Sequence, residues 1–154
     1  MSEAERGVAV HATAIVVGEH GILIRGPAGA GKSSLGREIL ARAEGSGRFA
    51  ALVSDDRVRL SATSGRVVAS APEAIAGLLE IRGVGLVRVP HEPAAVLRLV
   101  VDLDGAAPRM PEPAEQTVEI AGTRLPRVAL RPGCGPDLVL WALRHHDDRF
   151  VTIP

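Results

Sequence analysis

The stretch Gly26-Pro27-Ala28-Gly29-Ala30-Gly31-Lys32-Ser33 constrains this chain more than any other. It fits G-x-x-x-x-G-K-[ST], a glycine-rich loop whose backbone N–H groups cradle phosphates. Such a loop works only between the end of a strand and the start of a helix, so the fold must contain a β-loop-α unit here. The flanks agree. Ile22 to Arg25 reads as a short buried strand, and Leu35, Ile39 and Leu40 give helical spacing from Ser33 to about Ala43. Gly45-Ser46-Gly47 ends that helix.

Lys32 is the only lysine, beside seventeen arginines. A compact ammonium slips between β- and γ-phosphate oxygens where a planar guanidinium would crowd the backbone. The motif predicts that Gly26 to Ser33 bind a nucleoside triphosphate, with Lys32 neutralising the phosphates and the Ser33 hydroxyl ligating Mg2+. By itself it does not separate a kinase from an ATPase or a GTPase switch. No Asn-Lys-x-Asp guanine motif exists, since the one lysine is already assigned.

The rest of the composition narrows the class. A length of 154 residues suits one domain, with a core at about 8–146 and a tail at 147–154. Hydrophobic residues make up 46% and aromatics 2%, so the core must be aliphatic. The net charge is zero, which gives no field favouring nucleic acid or an anionic membrane. The apolar run Val8 to Val17 is broken by His11 and Thr13, so it is neither a signal peptide nor a membrane span. The lone Cys134 fits a reducing compartment, and a cytoplasmic location is expected.

Strands outnumber helices. Val8 to Val17, Ala50 to Ser54, Leu86 to Val89 and Ala95 to Leu103 read as strands. Val58 to Leu60 with Val67 to Ala69, and Thr117 to Ile120 with Thr123 to Val128, read as hairpins. Pro72 to Leu79 reads as a helical turn, Glu80 to Gly85 and Pro108 to Pro113 as loops, and Pro136 to about His146 as a helix. Alternating strands and helices would give a purely parallel sheet, so frequent hairpins predict a mixed one.

Several acids could partner the magnesium. Asp55-Asp56 follows the strand Ala50 to Ser54 and offers two adjacent carboxylates. One would hold the metal, directly or through water, while the other accepts a proton from an attacking hydroxyl. A turn or cap pair is the bland reading. Asp102 and Asp104 end another apolar strand and fit a metal role or a strand-end turn equally well. Glu80 and Arg82, two apart on an extended segment, would point to one side, one toward a metal and one toward a phosphate oxygen. A surface ion pair would look the same. Arg109 in the proline-rich loop is ambiguous, and His11 within a strand reads by itself as structural. His145-His146-Asp147-Asp148 reads as a solvated helix end rather than a metal site.

Taken together, these segments resemble the HPr kinase/phosphorylase family, specifically its carboxy-terminal catalytic domain. The match runs over about residues 8–144. It rests on His11 placed before the phosphate loop, the loop itself, Leu52-Val53-Ser54-Asp55-Asp56-Arg57-Val58, and Ala71-Pro72. Its most specific part is Leu78-Leu79-Glu80-Ile81-Arg82-Gly83-Val84-Gly85, followed by Arg109 and by Leu125-Pro126 to Gly133.

The resemblance implies an α/β fold: a P-loop-containing mixed β-sheet with helices packed on it, phosphoenolpyruvate-carboxykinase-like, in a short form without an amino-terminal domain. It implies a Mg2+- and ATP-dependent kinase acting on a serine of the phosphocarrier protein HPr, with a reverse phosphorolysis in many members, and a homo-oligomeric assembly. Asp56 would accept the serine proton. Ser33 and Glu80 would hold the magnesium, and the local reading of the aspartate pair adds Asp55 to them. His11 and Lys32 would lie at the active site, and Arg82 and Arg109 would hold the transferred group. Asp102 becomes a structural strand end. In the late loop Leu130-Arg131-Pro132-Gly133-Cys134-Gly135, Arg131 keeps one charge where the family often has Lys and Arg. A small-molecule kinase and a nucleotide-sensing regulator with little catalysis are the rival readings.

Overall fold

A computed structural model describes residues 7–145. His146, Asp147 and Asp148 lie outside the described residues. The strands, in chain order, are β1 (Val8–His11), β2 (Thr13–Val17), β3 (His20–Arg25), β4 (Ala50–Ser54), β5 (Arg57–Thr63), β6 (Arg66–Ser70), β7 (Leu78–Ile81), β8 (Gly85–Arg88), β9 (Ala94–Leu103), β10 (Thr117–Ile120) and β11 (Thr123–Leu130). Two α-helices accompany them, α1 (Lys32–Gly45) and α2 (Pro136–Arg144).

The large sheet is mixed, as the hairpins predict. Its main path runs β1-β5-β6-β9-β3-β2-β4. β3 and β11 both pair parallel to β9, while β2 runs antiparallel between β3 and β4. The ten-residue β9 joins the two halves. Its first residues pair with β6, and its later ones with β3 and β11.

Strand alternation builds two aliphatic cores, one on each face of the sheet. Ile15, Val17, Ile22, Ile24, Leu52 and Val101 face α1 and α2, meeting Leu35, Ile39 and Ala43 of the first helix and Val139 and Leu143 of the second. Ala14, Val16, Leu23, Val53 and Val100 face the other way, onto Val58 and Leu60 of β5, Val67 and Ala69 of β6, and Leu125 of β11. Gly36 lets α1 lie close on β2. A Cβ there would stand 3.0 Å from Thr13 Cγ2.

Three expectations are corrected. The apolar run Val8 to Val17 is two strands rather than one, since Ala12 breaks it. There its N–H donates to the Asp56 carbonyl at 3.3 Å, and the chain passes from β5's edge to a place between β3 and β4. Of Pro72 to Leu79, only Glu73–Ile75 is helical, a single 3-10 turn. Glu80 to Gly85 is not a loop. Glu80 and Ile81 belong to β7, which pairs antiparallel with β8 in a small separate hairpin. Leu79 is buried in the helix-side core, and Ile81 packs against it. Glycines that read as loop residues instead make the hairpin's turn, with Gly83 at φ 81° and Val84 N–H donating to the Ile81 carbonyl at 2.9 Å.

Candidate functional site

The sheet gathers the site at one end of its strands. β3 and β4 both end there, and antiparallel β2 begins there, with Thr13 opposite Ile24 and Ala14 opposite Ser54. The phosphate loop after β3, Asp55 after β4, and His11 before β2 therefore converge without any long side chain having to bridge them.

The loop is built to receive an anion. Gly29 and Gly31 take φ values of 80° and 94°, a region that side chains with a Cβ rarely adopt. Their turns aim successive N–H groups inward. No side chain caps the start of α1 at Gly31, so its first N–H groups remain available to a ligand. Lys32 folds back over the loop and its Nζ donates to the carbonyls of Gly26 at 2.9 Å and Pro27 at 3.1 Å. An ammonium has three protons, so one is left for a phosphate oxygen.

Asp55 and Asp56 are adjacent in sequence and point apart. Asp56 sits at φ 66°, a left-handed conformation uncommon for a residue other than glycine. That twist sends Asp55 inward, where it is 8% exposed, and leaves the Asp56 side chain 77% exposed. Asp55 Oδ1 accepts hydrogen bonds from Ser33 Oγ at 2.6 Å and Thr13 Oγ1 at 3.0 Å. Asp56 Oδ1 instead lies 3.8 Å from His11 Nδ1, an open pair at the surface.

Thr13 was not among the sequence candidates. The signal was present, however. A hydroxyl inside a strand that is otherwise wholly apolar needs a buried partner, and Asp55 is that partner.

Three other expected residues are exposed. Glu80 is exposed on β7, Arg82 lies in the β7–β8 turn, and Arg109 is in the exposed bend after β9. Among the described residues no side chain of the three makes a hydrogen bond or ion pair, although Glu80 is held in the β7–β8 ladder. Arg82 is not on an extended segment with Glu80, because the strand ends at Ile81. The premise that strand alternation aims both to one side therefore fails.

Asp102 takes a structural part, as the resemblance implies. It accepts a two-pronged contact from Arg25, Nε to Oδ1 at 2.7 Å and Nη2 to Oδ2 at 2.8 Å. Arg127 Nε also donates to Oδ2, and Arg127 Nη1 donates to the Glu115 carbonyl at 2.9 Å. Burial pushes the Asp102 carboxyl up, but the hydrogen bonds and charges of the two arginines outweigh it and hold it below the usual carboxylate range. The Arg25 guanidinium is raised in turn, chiefly by its hydrogen bond to Asp102. Arg25 directly precedes Gly26, so this cluster ties the entry of the phosphate loop to β9 and β11.

The donor chemistry at the loop suits magnesium and a triphosphate. Ser33 and Asp55 offer two hard oxygens in contact, and Mg2+ usually takes one or two protein oxygens beside substrate phosphates and water.

Known proteins agree with this architecture. Residues 3–95 match the family described as "HPr Serine kinase C-terminal domain", a segment that holds every site residue named above except Arg109 and the Asp102 cluster's later members. An "HPr kinase/phosphorylase" of Azoarcus sp. is 35% identical over 134 residues, covering 78% of this chain and 41% of that protein. One of Brevibacillus brevis is 37% identical over 127 residues, covering 73% and 39%. The chain thus spans less than half the length of these relatives. The solved "Hpr(Ser) kinase/phosphatase from Coxiella burnetii" superposes with a TM-score of 0.75 at 26% identity, over 91% of this chain and 96% of that one. None of the described helices is long and apolar enough to cross a membrane. By fold, by site and by these matches, the chain belongs to the HPr serine kinase C-terminal domain family.

Proposed function

We propose that this chain transfers the γ-phosphoryl group of Mg-ATP to a serine of HPr or an HPr-like phosphocarrier protein, in control of a phosphotransferase system. The observation that carries the reading is the divergence of the aspartate pair. Asp55 faces Ser33 and the loop, where it would hold the metal beside the phosphates. Asp56 faces solvent beside His11, where a protein hydroxyl can reach it.

In this reading the loop N–H groups and Lys32 fix the phosphates, and magnesium supplies neutralisation of their developing charge. Asp56 orients the serine and takes its proton as the serine oxygen bonds to phosphorus. The γ-phosphorus leaves its bridging oxygen, and ADP departs. His11 lies close enough to Asp56 to set its orientation. Glu80, Arg82 and Arg109 would join only on substrate binding, Glu80 toward the metal and the arginines toward the transferred group. The same groups run in reverse would let inorganic phosphate take the phosphoryl from the serine.

The test is transfer of label from γ-labelled ATP to purified HPr. We expect phosphoserine on HPr, and a loss of about 100-fold or more in Asp56→Asn with ATP affinity retained, the usual worth of a general base. Bound ATP with no transfer to HPr overturns the reading. Transfer to small hydroxyl acceptors instead would make this a small-molecule kinase.

A further inference from the structure

A second cleft adjoins the phosphate loop, on the side of α1 turned away from Asp55. Successive helical residues point about 100° apart, which follows from 3.6 residues per turn. Ser33 therefore turns to Asp55 while Ser34 turns elsewhere. Ser34 and Glu38, one turn apart, share a ridge. With Leu35 they form one wall of a cleft of about 100 Å3, closed opposite by Leu103 at the end of β9 and by Gly133 and Cys134 of the loop after β11. The cleft begins at Gly31, the last glycine of the phosphate loop. Glu38 also lines a neighbouring open groove of about 520 Å3 along the outer side of α1.

We infer that this cleft receives the nucleoside half of the triphosphate, with Glu38 accepting hydrogen bonds from the ribose hydroxyls and the base lying against the Gly133-Cys134 wall. The inference rests on the reading of the loop as a triphosphate site. The chain of phosphates has two ends, and the Ser33–Asp55 side is taken by the metal and the acceptor serine. The nucleoside must leave by the other side, and there the protein offers a partly apolar cleft continuous with the loop. A carboxylate on its rim suits a cis-diol, since each hydroxyl can donate to one oxygen. The cleft is too small to enclose a base by itself, and the open groove beyond Glu38 supplies the remaining room.

Cys134 makes the test direct, because it is the only cysteine in the chain. Burial, with some help from Glu38, pushes its thiol up, so alkylation of the native full chain is followed at about pH 9, where more of the reactive thiolate is present. The alkylation rate is measured by mass spectrometry with no ligand, with Mg-ATP, and with Mg-tripolyphosphate, which has the phosphates without the nucleoside. Binding of each is established separately by displacement of a labelled nucleotide.

At ten times its Kd, ATP should slow alkylation about tenfold, in proportion to the free fraction, while bound tripolyphosphate should leave the rate within about twofold. Glu38→Gln should raise the Kd for ATP about tenfold and leave that for tripolyphosphate unchanged. Bound ATP that gives no protection, or tripolyphosphate that protects as well as ATP, overturns the inference and leaves the triphosphate reading standing. Failure of both ligands to bind overturns the triphosphate reading and this inference with it.

Discussion

In the proposed reaction Lys32 would act through its shape as much as its charge. Its ammonium spans two loop carbonyls within 3.1 Å and still has a proton to spare. A guanidinium keeps the charge but is planar and wide. Lys32→Arg should therefore lower turnover about 100-fold, in the range of a lost electrostatic contact, while thermal melting stays near that of the native chain. Parallel activity and melting curves check this, and a large melting shift would count against it. Thr13→Val keeps the volume but removes a buried donor to Asp55. It should cost about 1 kcal/mol in urea unfolding. Lys32, Ser33 and the aspartate pair were legible in the sequence because their spacing is local. Which aspartate faces inward was not, because that depends on a left-handed φ at Asp56. Asp102 was legible as an acid at a strand end, but its partners Arg25 and Arg127 come from strands far away in the chain.

Helix α1 owes its position to a missing side chain. Gly36 faces β2 so closely that any Cβ would meet Thr13 Cγ2 at 3.0 Å. Gly36→Val should overpack that contact and destabilise the fold by about 1–3 kcal/mol. It should also weaken ATP binding, since tilting α1 moves the N–H groups at its start. Melting and nucleotide titration on one sample check both effects, and a stable variant with normal ATP affinity would refute the packing argument. Strands and helices with a clear period were readable, among them β4, β9 and both helices, with ends displaced by a residue or two. Strand β8 was readable, but β7 was hidden because four residues of strand between glycines carry too little pattern to separate from a loop. What makes it a strand is Leu79, buried against α1 in the finished fold.

The Arg25–Asp102–Arg127 cluster binds three parallel strands beside the phosphate loop, and its charge state makes stability depend on pH. A carboxyl held below its unfolded value of about 3.9 contributes fully above that pH. Its contribution is lost as pH falls through the lower folded value. Asp102→Asn should cost about 2 kcal/mol near neutrality, and less at acid pH, where the native carboxyl is itself protonated. Urea unfolding of both chains from about pH 7 to pH 3 tests the convergence. A constant difference would mean the cluster's charge is not what matters. The order β6-β9-β3 has a further consequence, which concerns synthesis. The central strand is made after two of its three partners, β3 and β6, and before the third, β11. Until residue 103 leaves the ribosome, β3 and β6 must wait with open, apolar edges, the kind that pair with other chains. A nascent chain arrested before β9 should therefore be the species that chaperones hold and that aggregates when they are scarce.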